Sequence, residues 1–410
     1  MQKILIKSLL LTFLFLQIQT AHSQSTSQAS WQQFRGNDRS ATSSESGLLE
    51  KWSAKGPEIL WKKDLGTSFS ELLIADDKIY TLAGEKIDSV SGDEYAIAFN
   101  AHTGAELWKT KLDSIFIDVD DWGDGARSTP ALNSTHMFCL TSFGKLIALS
   151  LKDGKIDWTV DIHKEYGSPV PRWGFSSSPI IVDGVLVLEV GGKEENAFMG
   201  FDPATGKQLW AKSTGQPSYC SPIVARIDEK NQIIFANGNN LYAFNAKGES
   251  LWTYKMPLSR PTAAPLFIAP NKLFVSSVSS TGSFIVEVNG AEVKEVMNSS
   301  TMKNHWSTSV HYKGFIYGFN VAALQCISST DGAKKWTKRG FGKGSLILVD
   351  DKLLVLSDQG KLILVEAVAD AYTELSDFQA INGKSWTAPS YANGKIYLRN
   401  LTEMACYKLK

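Results

Sequence analysis

One spacing recurs along the chain and limits what it can fold into: a glycine followed four residues later by a tryptophan. It occurs at Gly104/Trp108, Gly154/Trp158, Gly206/Trp210, Gly248/Trp252 and Gly332/Trp336. Gly290 continues the series, with Lys294 in the tryptophan position, and the last four of these glycines are each 42 residues apart. A fixed period of this length is typical of repeat folds, in which each unit buries its apolar face against the next.

Between these anchors the chain consists of short β-forming runs. Most runs follow a Ser/Ala-x-Pro sequence, whose prolines are Pro130, Pro179, Pro222, Pro265 and Pro389, with Ser309 and Ser345 in the equivalent positions. Tight turn pairs such as Asp183-Gly184 and Asn393-Gly394 follow a few residues later. No long segment has helical periodicity. Four strands in each unit of this length indicate a propeller blade.

Counting the units predicts an all-β, eight-bladed β-propeller with four-stranded blades. The first seven blades are expected at 68–112, 127–162, 175–214, 219–256, 261–300, 305–340 and 343–380. The eighth begins at 384 and has only three strands before the chain ends. The stretch Ile59–Leu65 resembles the outer strand Glu106–Leu112, so we expect this N-terminal strand to close the last blade. A seven-bladed ring with one stray strand is the alternative.

The N-terminus has the pattern of a signal peptide over residues 1–23. Lys3 and Lys7 precede an apolar run, and Ala21 and Ser23 stand at the −3 and −1 positions of a cleavage site. A transmembrane anchor is the alternative, but the run is shorter than the roughly 20 residues that a span needs. We expect residues 24–55 to be a linker and N-terminal extension and residues 56–410 to be the propeller. The mature chain, without a transmembrane segment, is then exported to the periplasm or the extracellular space.

Charge and cysteine usage narrow the expected partners. Basic and acidic residues balance at 42 each, so nothing indicates nucleic acid as a partner. No cysteine lies near the cleavage site, and we therefore expect no lipid anchor.

Cys326 and Cys406 occupy a third-strand position where other blades have alanine or glycine, which predicts buried free thiols. We expect the chain to act as a monomer.

Several stretches of the sequence carry a resemblance to a known family. Phe99–Trp108 and Phe201–Trp210 share an (Asp/Asn)-x-x-Thr-Gly-x-x-x-Trp pattern that resembles the PQQ-like propeller repeat. The opening Trp31–Asn37 looks like the start of a group of secreted bacterial proteins with this repeat, as do Arg172–Pro179 and Trp386–Asn400. The resemblance covers nearly all of the mature chain and implies that the repeated tryptophans dock between neighbouring blades.

The resemblance implies two different functions. Quinoprotein alcohol dehydrogenases hold PQQ and Ca²⁺ on the ring axis, whereas the outer-membrane assembly lipoprotein binds protein partners without a cofactor. This chain lacks the adjacent Cys-Cys pair of the large dehydrogenases and the lipidated cysteine of the assembly factor. The resemblance therefore leaves both functions open.

Candidate binding residues lie just before the first strand of several blades, where the inner strands enter the channel. Trp122, His305 and Lys343 are among the residues in such places. The six residues predicted to frame a cofactor or ligand site are Arg127, Trp173, Tyr219, Arg260, Trp306 and Trp386. Aromatic faces with cations between them suit a flat, anionic molecule such as PQQ. A rim that only packs the blades is the alternative.

Catalytic signatures are missing from the sequence. The acidic stretch Asp118–Gly125 has the composition of a Ca²⁺ loop, but Trp122 stands where an oxygen ligand is needed, which indicates a solvated loop. We find no nucleophile elbow, metalloprotease motif or phosphate loop. The sequence thus favours a propeller that binds a small molecule or a protein at its channel mouth. The alternative is a PQQ-dependent dehydrogenase of an alcohol or sugar, with Ca²⁺ and one of the loop aspartates as base.

Overall fold

The computed structural model describes residues 29–278 and 282–410, so the predicted signal peptide lies outside the described residues. Regular structure here is almost entirely β, with one four-residue helix, α1 (Ile162–Glu165). No helix of the described residues is long and apolar enough to cross a membrane. The all-β prediction is confirmed.

The first four blades follow two separate N-terminal strands. Those two strands are β1 (Thr42–Ser43) and β2 (Ile59–Asp64). Blade 1 contains β3 (Leu73–Ala75), β4 (Lys78–Lys86), β5 (Gly92–Asn100) and β6 (Glu106–Ser114). Blade 2 contains β7 (Ala131–Leu132), β8 (His136–Leu140), β9 (Lys145–Ser150) and β10 (Ile156–Asp161). Blade 3 contains β11 (Ile180–Val182), β12 (Val185–Glu189), β13 (Phe198–Phe201) and β14 (Gln208–Lys212). Blade 4 contains β15 (Ile223–Ile227), β16 (Lys230–Asn237), β17 (Asn240–Phe244) and β18 (Ser250–Lys255).

The other four blades complete the ring. Blade 5 contains β19 (Leu266–Ile268), β20 (Lys272–Ser276), β21 (Ser283–Asn289) and β22 (Glu292–Ser299). Blade 6 contains β23 (Val310–Tyr312), β24 (Phe315–Asn320), β25 (Ala323–Ser328) and β26 (Lys334–Lys338). Blade 7 contains β27 (Ser345–Val349), β28 (Lys352–Leu356), β29 (Lys361–Glu366) and β30 (Glu374–Gln379). Blade 8 contains β31 (Ser390–Ala392), β32 (Lys395–Arg399) and β33 (Glu403–Lys408).

The ring closes by joining the two ends of the chain. Within each blade the strands pair antiparallel in chain order, and in blade 8 the fourth place belongs to β2, which pairs with β33. Innermost strands of successive blades contact one another, and β31 of the last blade contacts β3 of the first. This confirms the eight-bladed ring and its closure by the N-terminal strand, and excludes the seven-bladed alternative.

The third strand of a blade carries a small residue directly opposite the outer tryptophan. Cys326 pairs with Trp336, and Gly200 pairs with Trp210. A Cβ atom on Gly200 would lie 2.2 Å from the indole nitrogen of Trp210, so a larger residue cannot fit there. All four cysteines are free and buried, which confirms the expectation of buried thiols.

The repeated glycine and tryptophan meet between blades, not within one blade. Gly206 of blade 3 lies against the ring of Trp158 in blade 2, where a Cβ atom would come within 2.6 Å of the indole. Trp158 Nε1 then donates to the Pro203 carbonyl at 3.0 Å. The contact between blades 4 and 5 is the exception. Trp252 Nε1 donates to Gln232 within its own blade, and no atom of the described residues lies within 4 Å of the Cβ position of Gly290.

A belt of hydroxyls joins the entries of the inner strands. The residue before the proline of one blade donates its backbone N–H to the hydroxyl of its equivalent in the next. Thr129 donates to Ser178 Oγ and Ser178 donates to Ser221 Oγ, each at 3.0 Å. Ala264 donates to Thr308 Oγ1 at 2.9 Å. These bonds tie adjacent blades where the inner strands begin.

Candidate functional site

The segment before the first blade runs through the central channel. Trp31 exchanges two backbone hydrogen bonds of 2.9 Å with Ile74 on β3, the inner strand of blade 1. Leu132 on β7 of blade 2 donates to the Gln32 carbonyl at 2.9 Å. Further along, β1 pairs in parallel with β27, the inner strand of blade 7. A segment that contacts several inner strands lies on the axis they surround, and we call residues 29–45 the channel plug.

Two buried arginines fix the channel plug to the opposite side of the ring. Arg39 Nη1 donates to the Ser178 and Pro222 carbonyls at 3.2 and 2.6 Å. Arg35 donates to the Thr308 carbonyl at 3.0 Å and to the Ser309 carbonyl at 2.8 Å. Burial lowers the pKa of Arg35 to about 10 and that of Arg39 to about 9, so both stay charged at neutral pH.

A cavity of about 260 Å³ opens at the entries of the inner strands, and we call it the mouth cavity. The structure brings five of the six predicted site residues to its wall: Arg127, Trp173, Tyr219, Trp306 and Trp386. Arg260 is not among the lining residues. Its backbone adopts the left-handed conformation, with φ of +47°, and its N–H donates to the Gly238 carbonyl at 2.7 Å.

Three tryptophans, which we call the tryptophan cluster, form one wall of the mouth cavity. The rings of Trp306 and Trp386 are 4.6 Å apart, and Trp122 lies 5.9 and 5.7 Å from them. Phe69 stacks on the far side of Trp386 at 5.9 Å. The Lys343 ammonium lies 4.5 Å from the Trp306 ring centroid and 4.9 Å from that of Trp122. The cluster is therefore aromatic and carries a fixed positive charge at its edge.

The inserted loop before blade 2 is fastened over the mouth. Arg127 Nη2 donates to Asp118 Oδ1 at 3.2 Å and to the Gly123 carbonyl at 3.0 Å. Lys384 of blade 8 donates to the backbone carbonyls of Asp121 and Trp122, each at 2.9 Å. The Asp118 side chain is only 1% exposed, whereas Val119 is 78% exposed, so the loop that was predicted to be solvated is solvated only in part. Burial lowers the pKa of Arg127, and its guanidinium donates its hydrogen bonds to this loop.

A second anchor of the loop orients Trp173. Asp120 accepts two hydrogen bonds from Arg172, at 2.8 and 2.6 Å, and one from Trp173 Nε1 at 2.7 Å. The hydrogen bonds from Arg172 and Trp173 hold the pKa of the Asp120 carboxyl down at about 2. The Tyr219 ring lies 5.2 Å from that of Trp173. Trp173 and Tyr219 line the same mouth cavity as the tryptophan cluster.

The inner end of the mouth cavity contains a buried glutamate that sequence analysis missed. Glu71 Oε2 accepts from Trp31 Nε1 at 3.1 Å and from the Arg35 N–H at 2.8 Å. Its other oxygen, Oε1, is buried and has no hydrogen-bond partner among residues 29–278 and 282–410. Burial raises the pKa of this carboxyl to about 7. Phe34 and Arg35 of the channel plug lie beside it, so the plug forms the floor of the cavity.

The repeat register contained a signal for Glu71. It occupies the position just before the inner-strand entry, where every other blade has a small residue. Those residues are Thr129, Ser178, Ser221, Ala264, Thr308, Gly344 and Ala388. Like its equivalents, Glu71 donates its backbone N–H to the next blade, to Thr129 Oγ1 at 3.0 Å. The backbone role is kept while the side chain departs from the repeat, which is the pattern of a functional residue on a structural scaffold.

The residues of the mouth cavity do not fit PQQ with Ca²⁺. Within the described part of the chain, no three His, Cys, Asp or Glu side chains are grouped to hold a metal ion. PQQ is a three-ring tricarboxylate and needs cationic partners for its carboxylates. However, Arg35 already donates to the Thr308 carbonyl, and Arg127 already donates to Asp118. Glu71 would face its carboxylates, and 260 Å³ is below the roughly 300–1,000 Å³ of pockets for drug-sized ligands.

Comparisons with known proteins agree on the fold. A family model described as outer membrane protein assembly factor BamB matches residues 19–114 and 92–338. A search of curated protein sequences finds no match. BamB from Moraxella catarrhalis superimposes with a TM-score of 0.63 at 14% identity, covering 86% of this chain and 98% of its own. Quinohemoprotein alcohol dehydrogenase from Comamonas testosteroni gives 0.67 at 11% identity, covering 93% of this chain and 80% of its own.

A third solved structure shows how little function this likeness carries. Sqt1 from Saccharomyces cerevisiae superimposes with a TM-score of 0.61 at 10% identity, covering 87% of this chain and 99% of its own. An assembly factor, a dehydrogenase and this third protein share one ring architecture. At such identities the likeness shows the fold alone, and the function has to be argued from the site.

Proposed function

We propose, from the premise that this chain belongs to the outer membrane protein assembly factor BamB family, that its PQQ-like propeller binds a small molecule in the mouth cavity. One observation carries the proposal. The tryptophan cluster and Glu71, which carries a buried carboxyl oxygen without a partner among the described residues, line a single cavity whose floor is formed by the channel plug. A recessed apolar pocket with a few converging polar groups is the usual form of a ligand site.

A rim that only packs the blades explains these features less well. The hydroxyl belt already joins the inner-strand entries, and the channel plug already fills the axis. Packing alone leaves the Glu71 oxygen unsatisfied, and an unsatisfied buried acceptor costs about 1–3 kcal/mol. Glu94 Oε1 is also buried without a partner among the described residues, but unlike Glu71 it does not line the mouth cavity. A ligand that donates to the Glu71 oxygen would recover that cost.

Ligand-observed NMR with single-ring probes tests the proposal. The probes are neutral sugars, benzoate and benzylamine, so that neutral, anionic and cationic rings are all represented. We expect at least one class to show saturation transfer from the protein, and this transfer to disappear in Trp386→Ala. Trp52→Ala is the matched control, because Trp52 is half-buried but does not line the mouth cavity. Equal transfer from both variants would contradict a site at the mouth.

A protein partner at the channel mouth is the second candidate function. The family description, an assembly factor, favours it, and so does Val119, which is 78% exposed on the loop that covers the mouth. A photo-crosslinking residue at Val119 should then give a discrete adduct in the native host. The same residue at Gly184, in the turn between β11 and β12, should give none. Adducts of equal yield at the two positions would argue against a partner at the mouth.

The quinoprotein alternative has its own test. Because the residues of the mouth cavity do not fit PQQ with Ca²⁺, we expect no bound-quinone absorbance after incubation with both. We also expect no reduction of an electron-accepting dye when alcohols or sugars are added. Dye reduction that depends on PQQ would establish the dehydrogenase function instead.

A further inference from the structure

The charges around the mouth cavity restrict the kind of ligand it can hold. An anion would approach Glu71 Oε1, while the nearby guanidinium of Arg35 already donates to the Thr308, Ser309 and Ser40 carbonyls. A cation would meet Lys343, whose ammonium already lies over the tryptophan cluster. Burying an unpaired charge in such a place is costly, so a neutral ligand is favoured.

The polar groups of the cavity wall favour a ligand with hydroxyl groups. Ser221 and Thr308 line the cavity, and each accepts one backbone N–H of the hydroxyl belt, which leaves its own hydroxyl hydrogen to donate. Glu71 Oε1 is an acceptor without a donor. A ligand that both donates and accepts satisfies these groups, as a hydroxyl does and an aromatic hydrocarbon does not.

The apolar wall and the cavity size restrict the shape of the ligand. The indoles of the tryptophan cluster are inclined to one another by 41° to 74°, so the face of a single indole is the flat surface available, and it suits a ring with an apolar face. The volume of about 260 Å³ suits one ring, since it is smaller than pockets for drug-sized ligands. A pyranose has both properties, with C–H groups on its faces and hydroxyls along its edge.

We infer that the mouth cavity recognises a neutral sugar ring, which stacks on the tryptophan cluster and donates a hydroxyl to Glu71 Oε1. This inference rests on the proposed function and names the ligand class for the same cavity. The ring is either a free monosaccharide or the terminal residue of a longer glycan, because both present the same chemistry to the protein. The glycan source is separated by comparing monosaccharides with the corresponding disaccharides.

Titration calorimetry on the full chain tests the ligand class and its anchor. The probes are glucose, galactose, mannose and N-acetylglucosamine, with benzoate and benzylamine as charged rings of similar size. We expect at least one sugar to bind at least tenfold more tightly than either charged ring. Measured at pH 8.5, above the Glu71 pKa of about 7, Glu71→Gln should weaken that sugar by about tenfold, since a hydrogen bond to a charged acceptor is replaced by one to a neutral amide. Disaccharides that bind more tightly than their monosaccharides would indicate a glycan source.

The outcomes separate the inference from the proposed function. Glu71→Gln keeps an acceptor for Trp31 and Arg35, and an unchanged melting temperature will show that the channel plug is intact. Benzoate or benzylamine binding that Trp386→Ala removes, without any sugar binding, overturns the sugar inference but not the mouth site. Sugar binding that Glu71→Gln leaves unchanged overturns the role of Glu71. If Trp386→Ala affects no probe of any class, the proposed function fails as well.

Discussion

The outer tryptophans stabilise the ring by filling the space between blades. Trp210 of blade 3 is 8% exposed, lies against Gly248 of blade 4, and donates its indole N–H to the Ala246 carbonyl at 2.9 Å. Trp210→Ala should lower the free energy of unfolding by about 3–5 kcal/mol, because it leaves a cavity and an unpaired carbonyl. Urea denaturation measures the loss. Trp386→Ala, at the mouth, should cost clearly less, and equal losses would mean that the mouth tryptophans are packing elements.

A buried glutamate makes the stability of blade 1 depend on pH. Burial raises the pKa of Glu94 from 4.5 to about 8, although its carboxyl accepts a hydrogen bond from Ser142 Oγ at 2.8 Å. Between these two pH values the folded chain holds a proton that the unfolded chain releases. The free energy of unfolding should therefore fall as pH rises from about 4.5 to about 8, and level off above it.

Glu94→Gln should flatten that pH dependence, because the amide remains neutral at every pH. Denaturant unfolding at pH 5, 6.5 and 8 measures the slope, with the exposed Glu106→Gln as the matched control. The other buried glutamates, Glu71 and Glu189, have pKa values raised to about 7 and act in the same direction, so some slope should persist. A slope in Glu94→Gln as steep as in the parent would show that Glu94 is ionised in the folded chain.

Single residues of the site were predictable only where the repeat positions them. Trp306 and Trp386 converge because equivalent strand entries of a closed ring meet at one axis. Arg260 was misplaced because its loop turns away in the left-handed conformation, which no repeat position encodes. The pairing of Arg127 with Asp118 lies in an insertion unique to one blade. Sequence alone does not specify which of several acidic side chains such a loop turns inward.

At the scale of elements, arginine donors tie the channel plug to the far side of the ring. Arg39→Ala would leave the carbonyls of Ser178 and Pro222 buried without their donor. At about 1–3 kcal/mol for each of the two unsatisfied carbonyls, we expect a loss of about 2–6 kcal/mol in unfolding free energy. Arg226→Ala is the matched control, because Arg226 is exposed on blade 4 and forms a surface ion pair with Glu229. Its loss should be within about 1 kcal/mol.

Loosening the channel plug should also affect the mouth cavity. Phe34 and Arg35 form its floor, so a mobile plug would weaken the binding of any probe that binds the parent chain. Thermal melting and probe binding should therefore change together in Arg39→Ala. A variant that melts at a lower temperature but binds like the parent would show that the floor is fixed by other contacts, such as the bonds between Trp31 and Ile74.

The channel plug could not be predicted as an element because nothing periodic marks it. Its regular structure is the two-residue strand β1 and a single bridge at Trp31, each depending on an inner strand far along the chain. Blade strands, in contrast, carry alternating burial and fixed turn pairs, and these local signals specified all four strands of most blades. A segment that fills space left by a repeat has no such local pattern.

At the scale of the whole molecule, the sequence predicted the ring because each blade repeats the same contacts. At most of the repeated positions the glycine of one blade contacts the tryptophan of the preceding blade, so the spacing marks an interface between neighbours. The last interface needed one more inference. An orphan strand with an outer tryptophan, Ile59–Asp64, had to pair with an incomplete blade at the other end of the chain. Closure by complementary ends is what removes the open edges of such a ring.

Closure should therefore depend on β2 more than on any other single strand. Replacing residues 57–65 by a Gly-Ser linker of the same length keeps the channel plug attached but removes the fourth strand of blade 8. It also removes Trp61, whose indole N–H donates to the Ala101 carbonyl of blade 1 at 3.0 Å. The edge of β33 is then exposed and the interface between blades 8 and 1 loses its tryptophan, so we expect aggregation or a large drop in melting temperature.

A relocated strand provides the control for closure. Appending Ile59–Asp64 after Lys410 through a short turn lets the strand fold back on β33 in the same antiparallel direction as β2. Because the ring needs the strand and not its original connection, this addition should restore the melting temperature and solubility of the linker variant. Differential scanning calorimetry and size-exclusion chromatography measure both. A linker variant that melts like the parent, or a failure of the appended strand to rescue it, would show that closure is not what β2 contributes.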